Sequence, residues 1–222
     1  MLKKNNSKGF FVAVDGPNGV GKTTLIETIA TELIAQDYNV YVTREPSKTD
    51  LGNYLRKYAE CNTGISLACM VAADRYAHLQ NEIIPALNDG KIVITDRYLL
   101  SSLILQAMDE VSTEFIMRVN SEIIAPDLQL AVFAAQETLQ KRLSERTELT
   151  RFEEGFQSNS ELLFMKKGLE VLKSEGIDIL SIDNDSDLNE NVQTIVLYCI
   201  MKVSVVTAIA KSFVPILLTV NV

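Results

Sequence analysis

Phe10–Thr24, FFVAVDGPNGVGKTT, decides the fold. Phe10–Asp15 is a short apolar run rich in β-formers, which reads as a buried strand. It leads into Gly16-Pro17-Asn18-Gly19-Val20-Gly21-Lys22-Thr23, which fits G-x-x-x-x-G-K-[ST] at every fixed position. The residue types explain themselves. Glycines let the backbone wrap closely with N–H groups turned inward, forming an anion nest. Lys22 reaches the β- and γ-phosphates of a nucleotide, and the Thr23 hydroxyl suits Mg²⁺. A helix from Thr23 to about Gln36, starting with Thr23-Thr24, aims its N-terminus at the same phosphates.

The rest of the chain sets bounds on this reading. Its 222 residues, 47% hydrophobic and 23% charged, suit one globular domain. The net charge of −8 argues against a nucleic-acid polymer as partner, because such binding needs a basic field. It leaves a single nucleotide open as a ligand, since a few local arginines suffice. Cys61, Cys69 and Cys199 have no metal-like spacing and read as free thiols of a reducing, cytoplasmic setting. His78 is the only histidine, which excludes a site built from several histidines. The N-terminal MLKKNNSKG is followed by only a strand-length apolar run and does not read as a signal peptide.

Beyond the first helix, strands and helices alternate. Strands are expected at Asn39–Thr43, Lys91–Thr95, Leu128–Ala134 and Ile177–Ile182. Helices are expected at Leu51–Glu60, Ile65–Leu87 with a kink at Pro85, Leu99–Met108, Thr113–Ile124, Glu137–Arg146, Ser158–Gly176 and Leu188–Met201. The prediction is therefore an α/β, three-layer fold: about five parallel strands with helices on both faces and a short lid. The second strand delivers Arg44 to the sheet edge where ligands bind, or to a surface turn. The third ends in Asp96-Arg97, a carboxylate of the kind that positions Mg²⁺ and a candidate phosphate clamp. Arg75, one helical turn past Val71, is either a pocket residue or a solvated charge. The segment 144–151 carries Arg146 and Arg151, and reads as a lid over phosphates or as a solvated loop. Residues 202–222 are apolar and β-branched, but Lys202, Lys211 and Pro215 break them before a membrane-spanning length is reached. They are separated here from a 1–201 domain.

Taken together, DGPNGVGKTT (15–24), TREP (43–46), AADRYAH (72–78), IIPALNDGKIVITDRYLLSS (83–102), PDL (126–128) and RTELTRFE (146–153) resemble the thymidylate kinases of the P-loop nucleoside-monophosphate kinase group. The resemblance spans residues 10 to about 200. It implies transfer of the ATP γ-phosphoryl group to a deoxynucleoside monophosphate, usually dTMP, with Mg²⁺ held at Thr23 and Asp96. Gly16, Pro17, Asn18, Gly19, Val20, Gly21, Lys22, Thr23 and Thr24 would then hold ATP. Arg44 and Arg97 would hold the acceptor phosphate, and Arg75 the base. Arg146 and Arg151 would be lid arginines, Arg151 the stronger. A homodimer is also implied. The base and sugar pocket departs from the family pattern. Asn18 stands where a carboxylate is usual, Val71 where a stacking Phe is usual, and Leu105 where an aromatic is usual. Ser47 and Thr150 replace a Gly and an Asp. Three alternatives stay open at this point: a kinase for another monophosphate, a deoxynucleoside kinase, and a nucleotide-binding regulatory protein with weak catalysis.

Overall fold

The computed structural model describes residues 2–147, 149–153 and 158–213, with no account of the side chains at 158 and 205–213. Five strands form one parallel sheet: β1 (Phe10–Asp15), β2 (Val40–Arg44), β3 (Ile92–Asp96), β4 (Leu128–Phe133) and β5 (Ile179–Asp183), in the order β2-β3-β1-β4-β5. The alternation of side chains along each strand divides the core in two. Phe10, Val12, Val14, Ile92, Ile94, Leu128, Leu130 and Val132 face one layer. Phe11, Ala13, Val93 and Ala131 face the other. Continuous apolar runs were expected for strands covered on both faces, and β1 is buried at all six positions.

On the first face pack α1 (Lys22–Ala35), through Leu25, Ile26, Ile29 and Leu33, and α9 (Leu188–Phe213), through Val192, Ile195, Val196 and Cys199. The second face is covered by α3 (Gly64–His78), α4 (Ile84–Asn88), α5 (Leu99–Met108), α6 (Thr113–Val119) and α8 (Ser158–Ser174). Helices α2 (Asp50–Cys61) and α7 (Gln136–Ser144) complete the chain. The connection leaving β1 runs to β2, while the one leaving β3 crosses to β4. Neighbouring strands β1 and β3 thus send their chains in opposite directions, which opens a crevice at their carboxyl ends.

Three expectations change. The helix expected over 65–87 is interrupted by a π-helical turn at Leu79–Ile83 before α4 begins. Pro85 has no N–H to continue the ladder, and the Ile84 N–H instead reaches Leu79 O, five residues back. Helix α6 ends at Val119 rather than Ile124, because the Asn120 side chain turns inward: its Nδ2 donates to Ile116 O while its Oδ1 accepts from Arg75 Nη1 at 2.7 Å. The last helix also runs past its expected end at Met201. No Gly or Pro lies between Met201 and Phe213, and α9 continues to Phe213. The Lys202 ammonium meets Asp178 Oδ2 at 2.7 Å, and Val203 packs on the first core layer. Residues 214–222 lie outside the described residues.

Helices α5 and α8 pack closely, and Gly168 is where they meet. A Cβ there would sit 2.7 Å from Leu100 Cδ1 and 3.1 Å from Leu103 Cβ, both on buried leucines. Overfilling a packed core costs about 1–3 kcal/mol, and valine brings little of alanine's helical advantage to offset it. Gly168→Val should therefore lower the urea unfolding free energy by about 2 kcal/mol or more; an unchanged midpoint would show that the helices do not meet there.

Candidate active site

The crevice is built first by a buried carboxylate. Asp15, fully buried at the end of β1, accepts from Tyr98 N (3.0 Å), Ser101 N (2.9 Å) and Ser101 Oγ (2.5 Å) through Oδ1, and from Gln129 Nε2 (3.0 Å) through Oδ2. It thereby ties β1 to the first turn of α5 and to β4, and its charge favours that helix N-terminus. The loop that follows wraps as expected. Gly21 takes φ +93° as the N-cap of α1, with no side chain satisfying the helix's first N–H groups. Those donors are left for an anion. Gly16 passes so near β4 that a Cβ would lie 2.4 Å from Val132 O. Val20 turns its side chain into the core, so only its backbone belongs to the loop surface.

Lys22 folds back over the loop, its Nζ donating to Gly16 O (3.0 Å) and Pro17 O (2.9 Å). It is 7% exposed rather than solvated. Burial pushes its ammonium down to about 7, with Arg97 adding to the effect and Asp96, Asp15 and Glu161 opposing it. Arg97 follows β3 with φ +74°, a conformation arginine seldom takes. Its N–H donates to Val14 O at 2.9 Å, and its carbonyl accepts from Thr95 Oγ1 at 3.0 Å. Its guanidinium spans from Ser101 Oγ (3.2 Å) to Asn18 Oδ1 (2.7 Å). Asn18 in turn donates from its backbone N and Nδ2 to Glu161 at 3.0 and 2.8 Å. Glu161 is buried, which holds its carboxyl above the usual range.

All of this opens on one cavity of about 1570 Å³, larger than a typical single-ligand pocket. Asn18, Gly19, Gly21, Lys22, Thr23 and Thr24 line it, with Arg142, Arg146 and Asn184. Pro46, Arg56, Leu67, Val71, Arg75 and Leu105 line it as well. Asp96 and Arg97 lie on the same wall system. Asp96 Oδ1 is buried with no hydrogen-bond partner, and Asp96 and the exposed Thr23 line the same cavity. That orphaned oxygen fits a divalent cation. Among the described residues no group of three or more His, Cys, Asp or Glu could hold a metal alone. Mg²⁺ suits such a sparse site, since it keeps waters and phosphate oxygens as ligands.

Arg75 is 1% exposed. Its Nε and Nη2 donate to Glu45 Oε2 (2.9 and 2.7 Å), and Nη2 also reaches Ser102 Oγ and Tyr98 O. It is a braced pocket residue, not a solvated helix charge. Two predicted residues fall elsewhere. Arg44 is exposed and outside the cavity lining; Arg56, held by Pro46 O (2.6 Å) and Ser47 O (2.8 Å), lines the cavity beside Pro46. A strand's side chains alternate, and Arg44 follows the buried Thr43 and precedes the buried Glu45, which puts it on the opposite side. Arg151 also lies outside the lining. Its guanidinium makes a bidentate pair with Asp109 (2.8 and 2.9 Å), and its Nε donates to Ala59 O at 2.9 Å. Arg146 faces the cavity instead, half-exposed and paired with Glu153. Of the two lid arginines, Arg146 is the one that lines the cavity.

Sequence reasoning missed Glu161, Arg56, Arg142 and Asn184. Arg142 Nη1 and Asn184 Nδ2 both donate to Val20 O, at 3.0 and 2.7 Å, behind the loop. Nothing local marked these residues. Glu161 is 143 positions from the asparagine it binds.

The thymidylate kinase family model matches residues 14–195. The chain belongs to the thymidylate kinase family. It is accordingly an enzyme of the nucleoside-monophosphate kinase kind. A probable thymidylate kinase of Caldivirga maquilingensis is 42% identical over 147 residues, 64% of this chain and 72% of the relative. A thymidylate kinase of Caldicellulosiruptor saccharolyticus is 39% identical over 144 residues, 61% of this chain and 70% of the relative. A probable thymidylate kinase of Pyrococcus abyssi is 34% identical over 154 residues, 66% of this chain and 75% of the relative. The matched span begins in β1 and ends in α9, so it contains the whole crevice. Among the described residues no helix is long and apolar enough to cross a membrane.

The position of Lys22 makes a prediction about protons. With its pKa near 7 the free enzyme holds it mostly neutral at pH 8, whereas phosphates beside it favour the charged form. Nucleotide binding at pH 8 should therefore take up close to one proton. Calorimetry in buffers of different ionisation enthalpy measures this; no uptake would mean that Lys22 is already charged in the free enzyme.

Proposed function

We propose that the chain phosphorylates dTMP with ATP, in the cytoplasm and as a homodimer, the last two on family likeness. The observation that carries the reading is one cavity of about 1570 Å³ lined both by the phosphate nest and by Val71, Arg75 and Leu105. A cavity of that size and lining lets two nucleotides meet phosphate to phosphate. An oxygen of the acceptor phosphate attacks the ATP γ-phosphorus. The bond from that phosphorus to the β–γ bridging oxygen breaks, leaving ADP and dTDP.

Such a transfer asks a protein mainly for position and for charge opposite charge. The N–H groups of Gly19, Gly21, Lys22, Thr23 and Thr24 would hold the ATP phosphates, and the Lys22 ammonium would leave the Gly16 and Pro17 carbonyls to join them. Arg97, braced by Asn18 and Ser101, would hold the acceptor phosphate in line. Arg56 takes the place first given to Arg44. Mg²⁺ would be held at Asp96 and Thr23, where it supplies neutralising charge to the phosphate oxygens. Arg75, fixed by Glu45 and Asn120, would meet the base, with Val71 and Leu105 as the apolar walls. Arg146 would reach the moving phosphoryl group, and Arg151 would anchor the segment that carries Arg146. A coupled assay over dTMP, dUMP, purine monophosphates and nucleosides tests the reading. The highest kcat/KM should be for dTMP, and a nucleoside turning over faster would overturn it.

An arginine on the transferring group contributes about 10³–10⁵ in turnover in related reactions. Arg146→Ala should therefore lower kcat by at least about a hundredfold with little change in KM for either nucleotide. Arg151→Ala should mainly raise KM. Equal losses of kcat would show that both arginines reach the phosphoryl group.

Val71 offers the base no ring to stack on, and aromatic pairing is worth about 0.5–1.5 kcal/mol beyond area. Val71→Phe should lower KM for dTMP by up to about tenfold. If the pocket is already filled by thymine, the same change will raise KM through overpacking.

A further inference from the structure

Behind Arg75, and outside the cavity, lies the chain's one histidine. His78 is fully buried on the last turn of α3. Its Nε2 is 2.7 Å from Thr43 Oγ1. Its Nδ1 is 3.7 Å from Glu45 Oε1. Both of these last atoms, His78 Nδ1 and Glu45 Oε1, are buried and have no hydrogen-bond partner. Also near are Glu82 of the π-helical turn, 3.7 Å from Nε2, and Tyr41 of β2, whose hydroxyl donates to Glu82 Oε2 at 2.8 Å.

Two buried acceptors facing each other are costly, and a proton between them removes the cost. If Nε2 alone carries the ring proton, the Nδ1 lone pair faces the Glu45 carboxylate. With the proton on Nδ1, the N–H can turn toward Glu45 Oε1. The Thr43 hydroxyl donates to Glu82 Oε2 at 3.2 Å, so Nε2 either draws that proton over to itself or carries a second proton and donates to Thr43 Oγ1. We infer that His78 carries its proton on Nδ1, and through Glu45 acts as a positioning residue for the base end of the acceptor pocket. The chain of contacts is short. A proton on His78 Nδ1 would attract one oxygen of Glu45 across 3.7 Å. The other oxygen holds Arg75 Nε and Nη2. Arg75 lines the cavity one helical turn from Val71. His78 itself touches no substrate. The role rests on the reading of that pocket as the nucleobase site.

A single histidine makes the test direct. Two-bond ¹H–¹⁵N correlation spectra of uniformly labelled enzyme show which ring nitrogen is protonated. A proton on Nδ1, with or without one on Nε2, is expected; a proton on Nε2 alone overturns the proposal. Kinetics of His78→Ala, His78→Gln and His78→Asn then test the role, since the Asn amide stands near Nδ1 and the Gln amide near Nε2. The Ala and Gln variants should raise KM for dTMP by about tenfold, the scale of one lost charge-assisted hydrogen bond, with KM for ATP and kcat nearly unchanged. The Asn variant should largely restore KM. Parallel losses in kcat and both KM values, with no rescue by Asn, would mean a merely structural histidine and overturn the role. If the wild type prefers another acceptor, the pocket reading fails, while the spectra still decide where the proton sits. Should the variants not fold, the wild-type spectra remain decisive.

Discussion

A carboxylate with no access to water holds the crevice together. Asp15 offers four lone-pair directions and receives four hydrogen bonds, from a strand on one side and a helix N-terminus on the other. Burying such a charge without partners would be prohibitive, so the partners must be in place for β1 to end where it does. Everything that meets a nucleotide is measured from that point. The loop starts one residue later, and α5 starts beneath it. Arg97 is held in its unusual conformation by Val14, the residue before.

The phosphate end of the cavity is a balance of charges rather than a single basic patch. Lys22, Arg97, Arg142 and Arg146 stand against Asp96, Glu153 and Glu161 in one cavity region of a chain whose net charge is −8. Without nucleotide each of these cations has a protein partner: a carboxylate, a backbone carbonyl or, for Arg97, the uncharged side-chain oxygens of Asn18 and Ser101. Binding phosphates therefore exchanges partners. Lys22, the most desolvated of the cations, has the least favourable resting state and the most to gain.

Sheet and phosphate loop were legible because their signals are local. A continuous apolar run, a glycine pattern at fixed spacing and a lysine at a helix start require no knowledge of what lies far away in the chain. The strands stood within one or two residues of their expected bounds. Tertiary partners were not legible. Arg151 and Arg146 are five residues apart and alike in sequence; pairing with Asp109, across the fold, draws Arg151 away from the cavity that Arg146 lines. Arg44 and Arg56 differ by which side of a strand or helix faces the crevice. Glu161 reads as a helix surface charge until Asn18 is placed against it. The interruption of the long helix at Pro85 was foreseen as a kink; its π form was not, since this depends on how the turn packs.

The cavity takes its walls from Asn18 to Leu188, nearly the whole length of the folded domain. No fragment of the chain contains a complete binding surface. Its ligands therefore act as thermodynamic witnesses of the native state, since the unfolded chain has nothing comparable to offer them. A nucleotide present at a hundred times its dissociation constant adds about 2.7 kcal/mol to the folding free energy. For a domain whose total margin is typically about 5–15 kcal/mol, that is a substantial fraction. In a cell the abundance of this protein is then tied to the concentration of the nucleotides it handles, through survival as well as through catalysis.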